Sequence, residues 1–303
     1  MKLSLMNKHA IICGSTDGIG KASALLLANQ GCEITLVARN QDKLDKTKSE
    51  LNIEHNQKHH SVCADFDNSM DLKSKIKMHI DSLGRSVDVL VNNSGGPHGG
   101  PLIEAGEDEF RVAFERLLIC NHVMAKAVVP GMKEKGSGRI VNIVSTSVKQ
   151  VIPGLGVSNT IRGSVAQWGK TLALELGESG ICVNNILPGY TATDRLKYLA
   201  ESKANSLGVD VEDIRNQWAE NTSLKRIGTV DEIANTVLFL ASNESSYVTG
   251  HNFSVDGGRF SAWSEYILLA IHFMLEIVNN FINGEFVEPH KKEYLDIYEP
   301  ATG

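Results

Sequence analysis

Short β-branched, apolar runs alternate with longer amphipathic stretches along most of this 303-residue chain. His9–Cys13, Glu33–Ala38, Ser61–Ala64, Asp88–Val91, Arg139–Val144, Ile181–Ile186 and Asn252–Val255 read as strands. Helical spacing fills Lys21–Asn29, a charged stretch from Gln41, segments around 107–132 and 159–178, and residues 230–241. Strands separated by helices need crossover connections and therefore lie parallel. These strands are apolar on both faces, so both faces need covering. The pattern predicts an α/β chain with a parallel sheet between helical layers. Residues 191–224 break the alternation. They are polar and helical, and sit where an α/β enzyme often carries a substrate lid.

The net charge of -6 argues against a chain whose main work is gripping nucleic acid. The five cysteines, Cys13, Cys32, Cys63, Cys120 and Cys182, form no C-x-x-C pair, which fits reduced thiols in the cytoplasm. The first twelve residues show no signal-peptide pattern. Tyr266 to Val278 is apolar but too short to span a bilayer. No membrane partner is expected.

Gly14-Ser15-Thr16-Asp17-Gly18-Ile19-Gly20 lies between the first strand and the first helix. Amides at a helix N-terminus, with no Cβ in the way, can hold a pyrophosphate. A tight turn without a ligand is the other reading, because the spacing is G-x-x-x-G-x-G. The second strand ends at Ala38 and is followed by Arg39, not by an acid. A guanidinium pairs with a ribose 2′-phosphate, which favours NADP(H) over NAD(H). A solvated arginine at a helix start is the alternative. Asp65, after the third strand, suits either an adenine amino group or a helix N-cap.

The chain then resembles the short-chain dehydrogenase/reductase family, in its 3-oxoacyl carrier-protein reductase-like branch. The resemblance runs from about 6 to 260. It rests on GSTDGIG at 14–20, Asn92-Asn93-Ser94-Gly95, GRIVNIVS at 138–145, KTLALEL at 170–176, ICVNNILPG at 181–189, RIGTVDEIA at 226–234 and YVTGHNFSVDGG at 247–258. It implies a Rossmann-like doubly wound parallel sheet of seven strands in three α/β/α layers, and a homodimer or homotetramer. It also implies nicotinamide dinucleotide binding and a small-molecule carbonyl/alcohol substrate. The family pattern places the pyrophosphate turn on Gly14, Gly18 and Gly20, with Ser15, Thr16 and Ile19 between them. It places adenosine contacts on Arg39 and Asp65, support of the cofactor on Asn92 and Gly95, and the nicotinamide loop on Pro188 and Gly189. Thr191 and Thr193 fall where the family often contacts the carboxamide or pyrophosphate.

The resemblance departs at the chemistry. The family uses Asn, Ser, Tyr and Lys. Ser145 falls on the family serine, but the tyrosine position is Ser158, the lysine position Arg162, and the asparagine position Leu117. No tyrosine lies anywhere from Met1 to Gly189. An offshoot of the reductase branch carries a similar S-N-x-x-R pattern. A serine without a base is a poor acid at neutral pH, and a guanidinium does not deprotonate to serve as one. Arg162 keeps the positive charge, so a ribose contact can survive. Ser145, Ser158, Arg162 and His98 are the candidate catalytic residues. His98, in the glycine-rich loop 95–100, titrates in the right range for acid–base work. A solvated loop histidine is its plainer role. Tyr190 either faces the substrate or packs under the lid. The expected function is an NADP(H)-dependent oxidoreductase with a non-standard proton donor. The alternative is a nucleotide-binding homologue without redox turnover.

His55, His59, His60 and Cys63 lie close in sequence but lack ligand spacing, so no metal site is expected. Lys43–Lys48 reads as a solvated helix face. Trp168, Leu172 and Leu176 form a stripe suited to a core, to a subunit contact, or to both. The family pattern ends near Gly258. Residues 1–260 are therefore expected to form one domain, and 261–303 a foreign tail. Residues 280–303 resemble the N-terminal strand region of aldehyde dehydrogenases, stopping before any catalytic residue of that family. The expectation is a truncated fusion or read-through, with Met274 as a plausible start and 265–278 as an amphipathic helix.

Overall fold

The computed structural model describes residues 3–259 and two short strands beyond them. The chain separates into two units, Met1–Ser261 and Ala262–Gly303. In the first unit seven parallel strands form one sheet: β1 (His9–Cys13), β2 (Glu33–Ala38), β3 (His60–Cys63), β4 (Val89–Asn92), β5 (Gly138–Ile143), β6 (Ile181–Pro188) and β7 (Asn252–Val255). Their order is 3-2-1-4-5-6-7. The order reverses between β1 and β4, and a crevice opens there at the strands' carboxyl ends.

Alternating strand residues feed two cores. Ile12, Leu36, Val91 and Val141 face α1 (Gly18–Asn29), α2 (Gln41–Ser49) and α9 (Val230–Ala241). Ile11, Val37, Leu90 and Ile140 face α3 (Ser69–Leu83), α5 (Cys120–Lys135) and α6 (Gly156–Leu176). This is the expected three-layer doubly wound fold. The helix expected around 107–132 is divided. α4 (Glu107–Phe114) passes through a π-helical turn at Glu115–Ile119 before α5 begins. The segment expected to be a lid forms α7 (Asp194–Leu207) and α8 (Val211–Glu220), which share a small core of Ala200, Ala204, Ile214 and Trp218. Among the described residues no helix is long and apolar enough to cross a membrane.

In the second unit, β8 (Asn280–Ile282) pairs antiparallel with β9 (Glu285–Val287). The helix expected at 265–278, and the junction before it, lie outside the described residues.

The amino ends of the strands hold a histidine cluster that sequence spacing did not reveal. His9 begins β1, and its Nε2 lies 2.8 Å from Thr35 Oγ1, which lies 2.8 Å from His79 Nε2. The rings of His60 and His79 are 5.5 Å apart. Burial, then the positive charge of Arg85, lowers the His9 pKa from 6.5 to about 4. Burial, then His60, lowers His79 to about 4. Glu33 opposes the shift at His9 without cancelling it. The unfolded chain therefore takes up protons below pH 6.5 that the native state refuses until about pH 4. Stability is complete above this window and is lost as pH falls through it. The expected loss is about 2 kcal/mol at pH 5 from His9 alone. Urea unfolding at pH 7.5 and pH 5 checks this, and His79→Gln should remove the His79 share of the difference while leaving that of His9.

Candidate active site and cofactor cleft

The β1–α1 turn is shaped by its glycines. Gly14 and Gly18 have φ of +56° and +53°, a left-handed region that disfavours other residues. A Cβ on Gly20 would overlap the Gly14 carbonyl oxygen. The side-chain amide of Asn93, beyond β4, donates to the carbonyls of Cys13 and Gly14, both at 3.3 Å, and pins the turn. The turn leads into the amino end of α1, which carries partial positive charge.

A cleft of about 530 Å³ opens over it at the switch point. Gly14, Thr16, Gly18 and Ile19 form its floor, Arg39 and Lys43 one wall, and Asp65 and Phe66 the next. Gly95, Arg116, Thr193 and Arg195 complete it. The glycine cradle, the helix N-terminus and the cations fit a dinucleotide with two bridging phosphates. Gly14, the turn amides and Thr193 would hold the phosphates, and Arg39 with Lys43 would meet the adenosine end.

Of the other expected cofactor residues, some line the cleft and some support it from behind. Ser15 is fully buried, and its hydroxyl turns inward to the Val37 carbonyl at 3.4 Å. Thr191 is buried and donates to the Gly189 carbonyl at 3.2 Å. Thr193 N-caps α7, accepting the Leu196 amide at 3.2 Å. A Cβ on Gly189 would overlap Asp256, so this close approach needs glycine. Pro188 ends β6 beside Val255. Asp65 lines the cleft and accepts the Asp67 amide at 3.1 Å, while Asn68 caps α3. Lys43 is not merely a solvated lysine. It lines the cleft and pairs with Asp17 at 2.8 Å.

Asn92 belongs to a buried chain that runs across four strands. Its amide donates to Asn142 at 2.9 Å, Asn142 donates to Asn185 at 2.9 Å, and Asn185 donates to Asn252 at 2.8 Å. Parallel pairing sets these four residues in register. α6 crosses them at Gly169, where a Cβ would strike Asn142 and Asn185. The sequence signal was an asparagine in each of four strand segments.

At the end of β5, the Ser145 hydroxyl oxygen accepts the Ser147 amide at 3.1 Å. That fixes the oxygen and leaves the hydroxyl proton for another acceptor. Arg162, from the second turn of α6, donates Nη1 to the carbonyl of Val144 at 2.6 Å, the residue before Ser145. Burial, then the charge of Arg195, lowers the Arg162 pKa to about 10. It remains a cation at neutral pH. Ser158 is buried on the first turn of α6. Leu117, at the family's asparagine position, lies in the π-helical turn and packs with Val144, Val157 and Ile161.

The two remaining candidates stand apart from this group. His98 is exposed and borders a separate cleft of about 160 Å³ with Glu104, Glu109 and Val157. Tyr190 stacks on Trp218, with ring centroids 5.1 Å apart, and Arg259 sits 4.4 Å over its ring. Burial raises the Tyr190 pKa, opposed by Arg259. His59 is held through Nδ1 by the Ile34 amide and through Nε2 at the Asn52 carbonyl. Among the described residues no group of His, Cys, Asp and Glu is placed to hold a metal.

Residues 14–259 match the family described as Enoyl-(Acyl carrier protein) reductase. The chain is 31% identical over 258 residues to a 3-oxoacyl-[acyl-carrier-protein] reductase FabG of Chlamydia muridarum, covering 85% of this chain and 99% of that protein. It is 28% identical to the NADPH-dependent reductase BacG of Bacillus subtilis, covering 85% of this chain and all of the relative. Among solved structures, the L-sorbose reductase of Gluconobacter frateurii, in complex with NADPH and L-sorbose, is similar with a TM-score of 0.80. That likeness is at 29% identity and covers 86% of this chain and 100% of that one.

Proposed function

The chain belongs to the short-chain dehydrogenase/reductase family of oxidoreductases, and from that premise we propose that it interconverts a small-molecule carbonyl and its alcohol with NADP(H). NADPH, when bound, would supply the hydride for the carbonyl carbon. The oxygen must take a proton, and negative charge develops there first. Ser145 donates its hydroxyl proton as a hydrogen bond to that oxygen, because its own oxygen is already held by the Ser147 amide. Arg162 stabilises the developing charge without giving up a proton. Ser158, at the family's tyrosine position, is buried on the first turn of α6. Water supplies the proton that completes the alcohol.

The observation that carries this reading is the fixed Ser145 hydroxyl, next in sequence to the carbonyl that Arg162 grips. Arg39, Lys43 and Arg116 around one wall support NADP(H) over NAD(H). Titration with NADPH and NADH, then a panel of ketones, aldehydes and 3-oxoacyl thioesters, tests it. The expected result is tighter NADPH binding and steady NADPH consumption. Binding without consumption across the panel would make the chain a nucleotide-binding homologue without turnover.

Tyr190 is not the proton donor in this reading, since its ring is clamped on both faces and its pKa is raised. Tyr190→Phe should keep kcat within about twofold, where loss of a true donor costs roughly 10²–10⁴. Steady-state NADPH oxidation decides it. Self-association is supported by exposed Leu174 on α6 and by Trp168, whose indole N–H reaches His122 of α5 at 3.4 Å. Light scattering should give a dimer or tetramer.

A further inference from the structure

Five of the ten arginines rest on a nearby acid. Arg85, Arg111, Arg116, Arg215 and Arg226 each pair with a carboxylate. Arg162 and Arg195 make no such pair among the described residues. Arg162 donates only to the carbonyls of Val144 at 2.6 Å and Ile143 at 3.4 Å. Its Nη2 lies against Gly96, where a Cβ would come within 3.3 Å. Arg195, in the first turn of α7, donates to the carbonyl of Pro97, the next residue of the same loop. Two guanidiniums thus reach one loop from two helices, at the carboxyl ends of β4 and β5.

Carbonyl oxygens satisfy N–H groups but do not neutralise charge. Burial lowers the pKa of both groups, and the charge of Arg195 lowers that of Arg162 further. Each cation therefore adds to the cost of the other. An anion here would relieve the repulsion and accept from the guanidinium N–H groups that the two carbonyls leave over. The cofactor phosphates have their own donors on the Gly14–Gly20 turn. Resting on the reductase reading above, we infer that the substrate carries a carboxylate, held between Arg162 and Arg195 while its carbonyl lies on Ser145.

The test uses NADPH-saturated protein and calorimetry. The probes are 2-, 4- and 5-oxohexanoate, each against its methyl ester. At least one acid should bind about tenfold or more tighter than its ester. Arg195→Gln and Arg162→Gln should each bring that ratio close to one. Arg162→Lys should restore part of it if the glutamine variant folds poorly by circular dichroism. Equal binding of every acid and ester by the parent protein would overturn the inference. So would an unchanged ratio in Arg195→Gln accompanied by a tenfold loss of NADPH affinity, which would assign the arginine to the pyrophosphate. The ratio is read from binding, so it stands or falls separately from turnover. A carboxylate preference with no NADPH oxidation would count against the reductase reading alone.

Discussion

Replacing Ser145 with alanine should lower kcat for carbonyl reduction about 10²–10³-fold while leaving the NADPH Kd within about twofold. The size follows from what the site lacks. With no tyrosine at position 158, the proposed donor to the reacting oxygen is the hydroxyl of Ser145, whose oxygen the Ser147 amide holds. Preorganised donors of this kind act where charge develops, so their loss appears in kcat more than in binding. The same substitution removes the cap of the short turn Thr146–Val148, which should cost about 1 kcal/mol of stability. Ser145→Thr keeps both the cap and the hydroxyl, and should recover most of the rate. A small kcat change with a lowered Tm in Ser145→Ala would make Ser145 a cap and nothing more. A rate that falls equally in Ser145→Thr would show that the side chain's packing matters, not its hydrogen bond.

The sheet was legible because burial writes itself into sequence. A strand covered on both faces must be largely apolar, and β1 and β2 begin and end at the residues that apolar runs mark. α9 matches its amphipathic pattern from Val230 to Ala241. β6 runs on to Pro188, since its last residues pair with β7 rather than ending at the polar boundary. The cleft's walls were harder to read. Lys43, Arg116 and Arg195 sit on helical turns and look solvated along the chain. Only the fold carries the start of α2, the π-helical turn and the start of α7 to the same crevice. The asparagine chain was hidden for a related reason. Its neighbouring members are 43 to 67 residues apart, and only parallel register aligns them. His98 is the converse case. A glycine-rich loop at a strand end suggested the site, but the loop carries its histidine to another cleft.

Arg39→Asp should weaken NADPH binding about 10²–10³-fold and tighten NADH binding, so that the preference between them reverses. Arg39, Lys43 and Arg116 all line the cleft, at the end proposed for adenosine, yet they are not equivalent. Arg116 grips Asp67 bidentately, at 2.5 and 2.7 Å, and that contact holds the Asp67 carboxyl below its usual range. Lys43 is tied to Asp17 at 2.8 Å. Arg39 makes no ion pair among the described residues, so it answers a 2′-phosphate without first giving up a partner. Two unit charges 4 Å apart interact by about 4 kcal/mol at a surface-like effective dielectric of ~20. Reversing the sign at 39 replaces such an attraction with a repulsion, and a loss of about 3 kcal/mol is already more than 10²-fold. Without the phosphate, the new carboxylate instead accepts from the ribose 2′-hydroxyl. Fluorescence titration of the variant with both cofactors measures the ratio directly. A preference that moves less than tenfold would shift the phosphate site onto Arg116 and Lys43. Arg116→Gln would then lower NADPH affinity and free Asp67, whereas with Arg39 as the anchor Arg116→Gln leaves the ratio of the two cofactors nearly unchanged.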